Sequence, residues 1–159
     1  MTIFTQKLAK KSLFSSILAI FIAFLGIFTI SACSKSSVSE SEQMISFAKK
    51  NSINYTTDAS GILYEIITPG NNTHPSVSNT ITVTYVGTLM NGSQFDAGTI
   101  TYGLSQLIPG WQIAVPKIGV GGEIKVLIPS SLGYGSAGAG ASIPGNSPLY
   151  FDIKLTAVK

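Results

Sequence analysis

From Ile62 onward, polar and apolar positions fall in short runs with a period near two. Ile62, Tyr64 and Ile66 alternate with Leu63, Glu65 and Ile67 until Pro69-Gly70-Asn71-Asn72 interrupts them, as a strand ending in a turn would. Thr80 to Leu89 is dense in β-branched and aromatic side chains, which suit a pleated, half-buried surface. Asn91-Gly92 comes next, a pair that tolerates the positive φ of a tight hairpin turn, so Gln94-Phe95-Asp96 is expected to return as the partner strand. Glu123 to Ile128 and Leu149 to Val158 read as two further strands. Helical spacing appears at Glu42 to Asn51, where Met44, Ile45, Phe47 and Ala48 form one apolar face. Acids at its start and Lys49-Lys50 at its end match the helix dipole, and Ser41 or Ser39 can cap it. That face is expected to pack on the domain or on a partner. A second, shorter helix is expected from Pro109 to Pro116, because proline favours the first helical position. Gly133 to Pro148, rich in glycine, reads as a long loop over one end of a sheet. These elements predict an α+β domain with an antiparallel sheet of four to six strands.

The N-terminal segment has a different pattern. Lys7, Lys10 and Lys11 precede an uncharged stretch from Ser12 to Ser34 whose apolar heart is Leu13 to Ile30. A basic, then apolar, then small-residue order is that of a secretory signal, although the stretch is also long enough to span a bilayer as a helix. The junction Ile30-Ser31-Ala32-Cys33 favours the first reading. It resembles a bacterial lipobox, which implies cleavage before Cys33 and a diacylglycerol on its sulfur. The expected organisation is therefore a lipoprotein signal peptide at 1–32, a lipidated cysteine and flexible tether at 33–41, a short helix and linker at 42–60, and a folded domain at 61–159. Such a protein is anchored to a membrane rather than spanning it. Ser34 stands where an aspartate would suggest inner-membrane retention; by resemblance to Gram-negative lipoproteins this favours the periplasmic face of the outer membrane.

Charge and composition remove several function classes. The formal charge of +3 comes from lysines in the N-terminal segment, and there is no arginine, so a basic groove for nucleic acid is not expected. One cysteine excludes an intrachain disulfide, and one histidine, His74, sits among turn-forming residues, so neither a zinc site nor a Ser-His-Asp triad is expected. Gly133-Tyr134-Gly135-Ser136-Ala137-Gly138 matches a dinucleotide-binding pattern, but no helix can open through the glycines and proline downstream of it. Asp96 and Glu123 have no spacing that marks them as a catalytic pair, and surface charges are the default. No cofactor is implied. The sole tryptophan, Trp111, in Leu107-Ile108-Pro109-Gly110-Trp111, admits two readings: a core residue at a helix start, or the floor of an apolar pocket.

Fragments spread over the domain favour the pocket. They are Val83 to Leu89 (VTYVGTL), Asn91 to Asp96 (NGSQFD), Gln106 to Trp111 (QLIPGW), Gly121 to Pro129 (GGEIKVLIP), Gly133 to Gly135 (GYG), Ile143-Pro144 and Phe151 to Leu155 (FDIKL). In this order and spacing the chain from Gly61 to Lys159 resembles the FKBP-type peptidyl-prolyl isomerases. The resemblance implies a twisted antiparallel β-sheet wrapped around one short α-helix, with the pocket between them. It implies Trp111 as floor, Tyr85, Phe95, Tyr102 and Phe151 as aromatic walls, and Leu107, Ile108 and Ile143 as aliphatic sides. Asp96 is implied as a buried-edge carboxylate, Tyr134 as a hydroxyl at the rim, and the Ile108 N–H as donor to a ligand carbonyl. The segment Ala97 to Leu104 departs from the family pattern, with Tyr102 in place of a usual phenylalanine.

The function this resemblance implies is that of a peptidyl-prolyl cis–trans isomerase acting on exported proteins at the bacterial cell envelope, held at the membrane by Cys33. Its implied partners are proline-containing polypeptides and macrolides of the rapamycin type. The rival reading is a binding module or chaperone that uses the same pocket with little turnover.

Overall fold

The computed structural model describes residues 38–159. The expected signal peptide, Cys33 and most of the tether lie outside them. The described elements are α1 (Glu40–Lys50), β1 (Thr56–Thr57), β2 (Leu63–Thr68), β3 (Thr80–Leu89), β4 (Gln94–Gly103), α2 (Pro109–Ala114), β5 (Glu123–Ile128) and β6 (Leu149–Val158). The six strands form one sheet in the order β1-β2-β5-β6-β3-β4, every neighbouring pair antiparallel.

Side-chain parity decides what each face of the sheet buries. Ile81 and Val83 of β3, Ile124, Val126 and Ile128 of β5, and Leu149, Phe151, Ile153 and Leu155 of β6 point to one face. There they pack with Trp111 and Ala114 of α2, Leu104, Val115 and Ile118 into the main core. Leu63 and Leu127 alternate with those positions and point to the other face, where Met44, Phe47 and Ala48 of α1 cover them together with Ile53. The amphipathic face of α1 thus finds its partner on the back of its own sheet.

Local chemistry explains where the elements begin and end. Helix α1 starts before Glu42 because Ser39 is its cap: the Ser39 hydroxyl accepts the Glu42 N–H at 3.2 Å while the Glu42 carboxylate accepts the Ser39 N–H at 2.9 Å. This reciprocal box satisfies donors the first turn leaves free. Helix α2 has Pro109 at its first position and gives way to a 3-10 turn at Val115–Lys117, where Pro116 supplies no N–H to continue the helix. Strand β4 runs on past Asp96 to Gly103, laddered to β3 from Thr88↔Gln94 to Thr80↔Gly103. Alternation holds from Ile62, just before β2, through Leu63 and Tyr64 but fails at the end of the strand: Ile66 and Ile67 are both exposed, beside a register shift between Ile66 and Thr68. No helix among the described residues is long and apolar enough to cross a membrane.

Candidate functional site

The site is built where α2 crosses the main face of the sheet. Gly110 brings helix and sheet together; a Cβ there would meet Ile128 Cδ1 at 2.7 Å, inside van der Waals contact. The close approach sets the next side chain, Trp111, into the sheet, where it is 4% exposed. Strands β3 and β6 bring Tyr85 and Phe151 against the indole, each with its ring centroid 5.2 Å away and nearly perpendicular. Phe95 meets Phe151 edge-on at 5.6 Å. Edge-to-face pairs of this kind are favourable by ~0.5–1.5 kcal/mol beyond area burial, so the four rings hold one another in place.

Phe95 reaches this cluster through a bulge. Gly87 pairs with Asp96 and Thr88 with Gln94, leaving Phe95 as the extra residue. Its ring lies over Gly87, where an added Cβ would meet Phe95 Cζ at 2.7 Å and Phe151 Cε1 at 2.9 Å. A bulge re-aims a side chain in this way while shifting the ladder by one residue.

The rings open onto a concave cavity of about 80 Å³. The buried Trp111 and Phe151 form its depth; the half-buried Tyr85, Phe95, Ile100, Leu107 and Ile108 form its sides; the exposed Asp96 and Tyr134 complete the rim. The approach to α2 is fixed by Gln112, whose Nε2 donates to the Leu107 carbonyl at 2.8 Å. The Ile108 carbonyl accepts the Trp111 N–H, and no backbone carbonyl among the described residues accepts the N–H of Ile108. The buried Trp111 indole N–H has no hydrogen-bond partner among the described residues.

Polar chemistry at the rim is sparse. The Tyr85 hydroxyl donates to Asp96 Oδ2 at 2.5 Å. Burial first, and then this bond to a carboxylate, push the Tyr85 phenol up to about 12. Tyr134 is also raised, by burial and then by the charge of Asp96. Among the described residues no group of three His, Cys, Asp or Glu side chains is placed to hold a metal ion. The glycine-rich stretch after Gly133 stays irregular, bridged by Ala139 and Ile143, with no helix opening from it.

Eight of the residues singled out in the sequence therefore surround one cavity, and two stand outside it. Tyr102 is 53% exposed on β4, opposite Ile81. The wall position belongs to Ile100, opposite Val83 and two residues nearer the bulge. Ile143 is buried in the main core through its bridge to Ala139, away from the cavity lining. Asp96 is exposed rather than at a buried edge, with its carboxylate turned to Tyr85. The sequence alone does not single out Ile100, because it offers two apolar candidates on one face of β4 and only the strand register chooses between them.

Known proteins are similar in sequence and fold. A family model described as FKBP-type peptidyl-prolyl cis-trans isomerase matches residues 71–156. The FKBP-type isomerase FkpA of Escherichia coli is 38% identical over 118 residues, 71% of this chain and 43% of FkpA. Its crystal structure superposes with a TM-score of 0.70 at 28% identity, covering 99% of this chain and 74% of that one. A peptidyl-prolyl cis-trans isomerase of Pseudomonas syringae pv. tomato gives a TM-score of 0.66 at 32% identity, covering 74% of this chain and 90% of that one. The outer membrane protein MIP of Legionella longbeachae is 41% identical over 105 residues, 63% of this chain and 45% of MIP. The chain thus spans less than half the length of these two curated relatives. The matched segment carries every wall of the cavity, from Tyr85 to Phe151, and with it the chain belongs to the FKBP-type peptidyl-prolyl cis-trans isomerase family.

Proposed function

We propose that this protein accelerates cis–trans rotation about X-Pro bonds, with the proline ring seated against Trp111. The carrying observation is the cavity itself: four interlocked aromatic rings with few polar groups around one concave opening. Rotation about a peptide bond faces a barrier of ~18–20 kcal/mol because resonance gives the C–N bond double-bond character. For X-Pro both isomers are populated and exchange slowly. The planar amide separates charge between oxygen and nitrogen, which water stabilises; the twisted amide loses that resonance and much of that dipole. An aromatic, water-poor wall therefore favours the twisted form over the planar one, and each tenfold gain in rate needs ~1.4 kcal/mol of such preference. In this role the Ile108 N–H donates to a substrate carbonyl. The Tyr85–Asp96 pair holds the rim so that neither group points at the amide unpaired.

The substrates we assign are exported polypeptides, and the location is the cell envelope, with Cys33 carrying the lipid. The basic and apolar leader ending in Ile30-Ser31-Ala32-Cys33 supports this, as does the description of one relative as an outer membrane protein. Labelled fatty acid should enter the natural chain and fail to enter Cys33→Ala; equal labelling of both would end the lipoprotein reading. Isomerisation of an X-Pro peptide, measured with and without rapamycin, tests the activity. Binding of proline peptides without acceleration would instead favour a chaperone that uses the same cavity.

A further inference from the structure

Helix α1 lies on the opposite face of the sheet from the cavity, yet one of its side chains is bonded into the loop that carries the cavity rim. The Glu40 carboxylate accepts the Ser130 hydroxyl at 2.6 Å and the Ser130 N–H at 2.7 Å. Ser130 is 6% exposed, the one buried polar residue among those described. Its carbonyl accepts two further bonds, from the N–H of Gly133 at 2.9 Å and of Gly135 at 2.8 Å. Those two glycines flank Tyr134, which lines the cavity. Glu40 is not needed to cap its own helix, because Ser39 and Glu42 already do that reciprocally. A charge-assisted pair of bonds to one residue fixes orientation as well as distance.

We infer that Glu40 is a positioning residue for the site: through Ser130 it fixes the turn that holds Tyr134 at the cavity rim, so the helix next to the N-terminal tether is part of the working unit. Without the carboxylate, the Ser130 hydroxyl and N–H lose their partner, the turn at Ser130–Leu132 loosens, and Tyr134 samples positions off the cavity. The inference rests on the proposed function for its meaning, but its geometry is readable without activity.

The test combines two readouts on the full chain. Amide hydrogen exchange at Gly133 and Gly135 is measured in the natural protein, Glu40→Ala and Glu40→Gln, with Val126 in β5 as internal reference. Rapamycin affinity is measured for Glu40→Ala alone and in a Tyr134→Ala background. The expected result is faster exchange at both glycines with Val126 unchanged, partial recovery in Glu40→Gln, and an affinity loss of about fivefold that vanishes when Tyr134 is already absent. Unchanged exchange at Gly133 and Gly135 would overturn the inference. So would an equal affinity loss in both Tyr134 backgrounds, which would mean that Glu40 acts through general stability. If the natural protein binds no rapamycin, the proposed function fails on that arm, and the exchange data alone decide whether Glu40 sets the turn.

Discussion

Gly87→Ala puts one methyl group where the cavity walls already meet. The new Cβ would stand 2.7 Å from Phe95 Cζ and 2.9 Å from Phe151 Cε1. An ordinary carbon–carbon contact is about 3.5–4.0 Å, so each ring must retreat by roughly 0.6–0.8 Å. Phe95 is half-buried and can swing outward. Phe151 cannot: it is 3% exposed, with Trp111 edge-on at 5.2 Å and Tyr85 at 6.3 Å. Overpacking of this kind costs ~1–3 kcal/mol. At about 2 kcal/mol the folded-to-unfolded ratio falls about 30-fold, and the melting midpoint drops by roughly 8 °C for a domain of this length. The displaced rings also narrow the cavity, so rapamycin affinity should fall about tenfold, or ~1.4 kcal/mol. Thermal melting and ligand titration measure the two effects. Gly98→Ala, on β4 where an added Cβ meets nothing within 4 Å, is the control and should leave both readouts unchanged. A Gly87→Ala protein that melts within about 1 °C of the natural one and binds within about twofold would refute the tight packing of Phe95 and Phe151 over Gly87.

Trp111→Ala removes the cavity floor and a 4%-exposed side chain, so a stability loss of ~3–5 kcal/mol by denaturant titration is expected along with loss of macrolide binding. Unaltered binding would take Trp111 out of the site. Tyr85, with its phenol pushed up to about 12, should ionise late in an ultraviolet titration alongside the raised Tyr134 and Tyr150, and Tyr85→Phe should lower the late amplitude by one tyrosine. Because the folded value lies above the unfolded one of ~10, this group's contribution to stability is complete below pH ~10 and is lost as pH rises through about 12. A Tyr85→Phe titration whose late amplitude matches that of the natural protein would mean that Tyr85 is not one of the late-ionising tyrosines. Phe47→Ala should cost ~3 kcal/mol by opening the back-face cluster, where Phe47 is 8% exposed and packs on Tyr150 at 5.1 Å; a negligible change would mean that α1 adds nothing to the fold.

The strands that alternate cleanly were legible in the sequence. β3, β5 and β6 have the bounds their β-branched runs suggest, and Asn91-Gly92 turns the chain with Gly92 at a φ of +89°. β4 was harder because Ala97-Gly98 carries no strand signal; pairing with β3 overrides it. β1 is two residues held by two pairings, too short for any periodicity. In the site, the aromatic floor and walls are readable from motif order, but choosing Ile100 over Tyr102 needs the register of β4. The Glu40–Ser130 contact joins residues 90 positions apart, a separation that local pattern cannot reveal.

Whether the cavity over Trp111 twists prolyl amides is decided by the rate of cis–trans exchange in a short X-Pro peptide with the full chain added. Rapid exchange is expected, returning to the uncatalysed rate when rapamycin fills the cavity. Uncatalysed exchange in the presence of folded, rapamycin-binding protein would contradict the isomerase reading and leave the cavity as a site for binding alone.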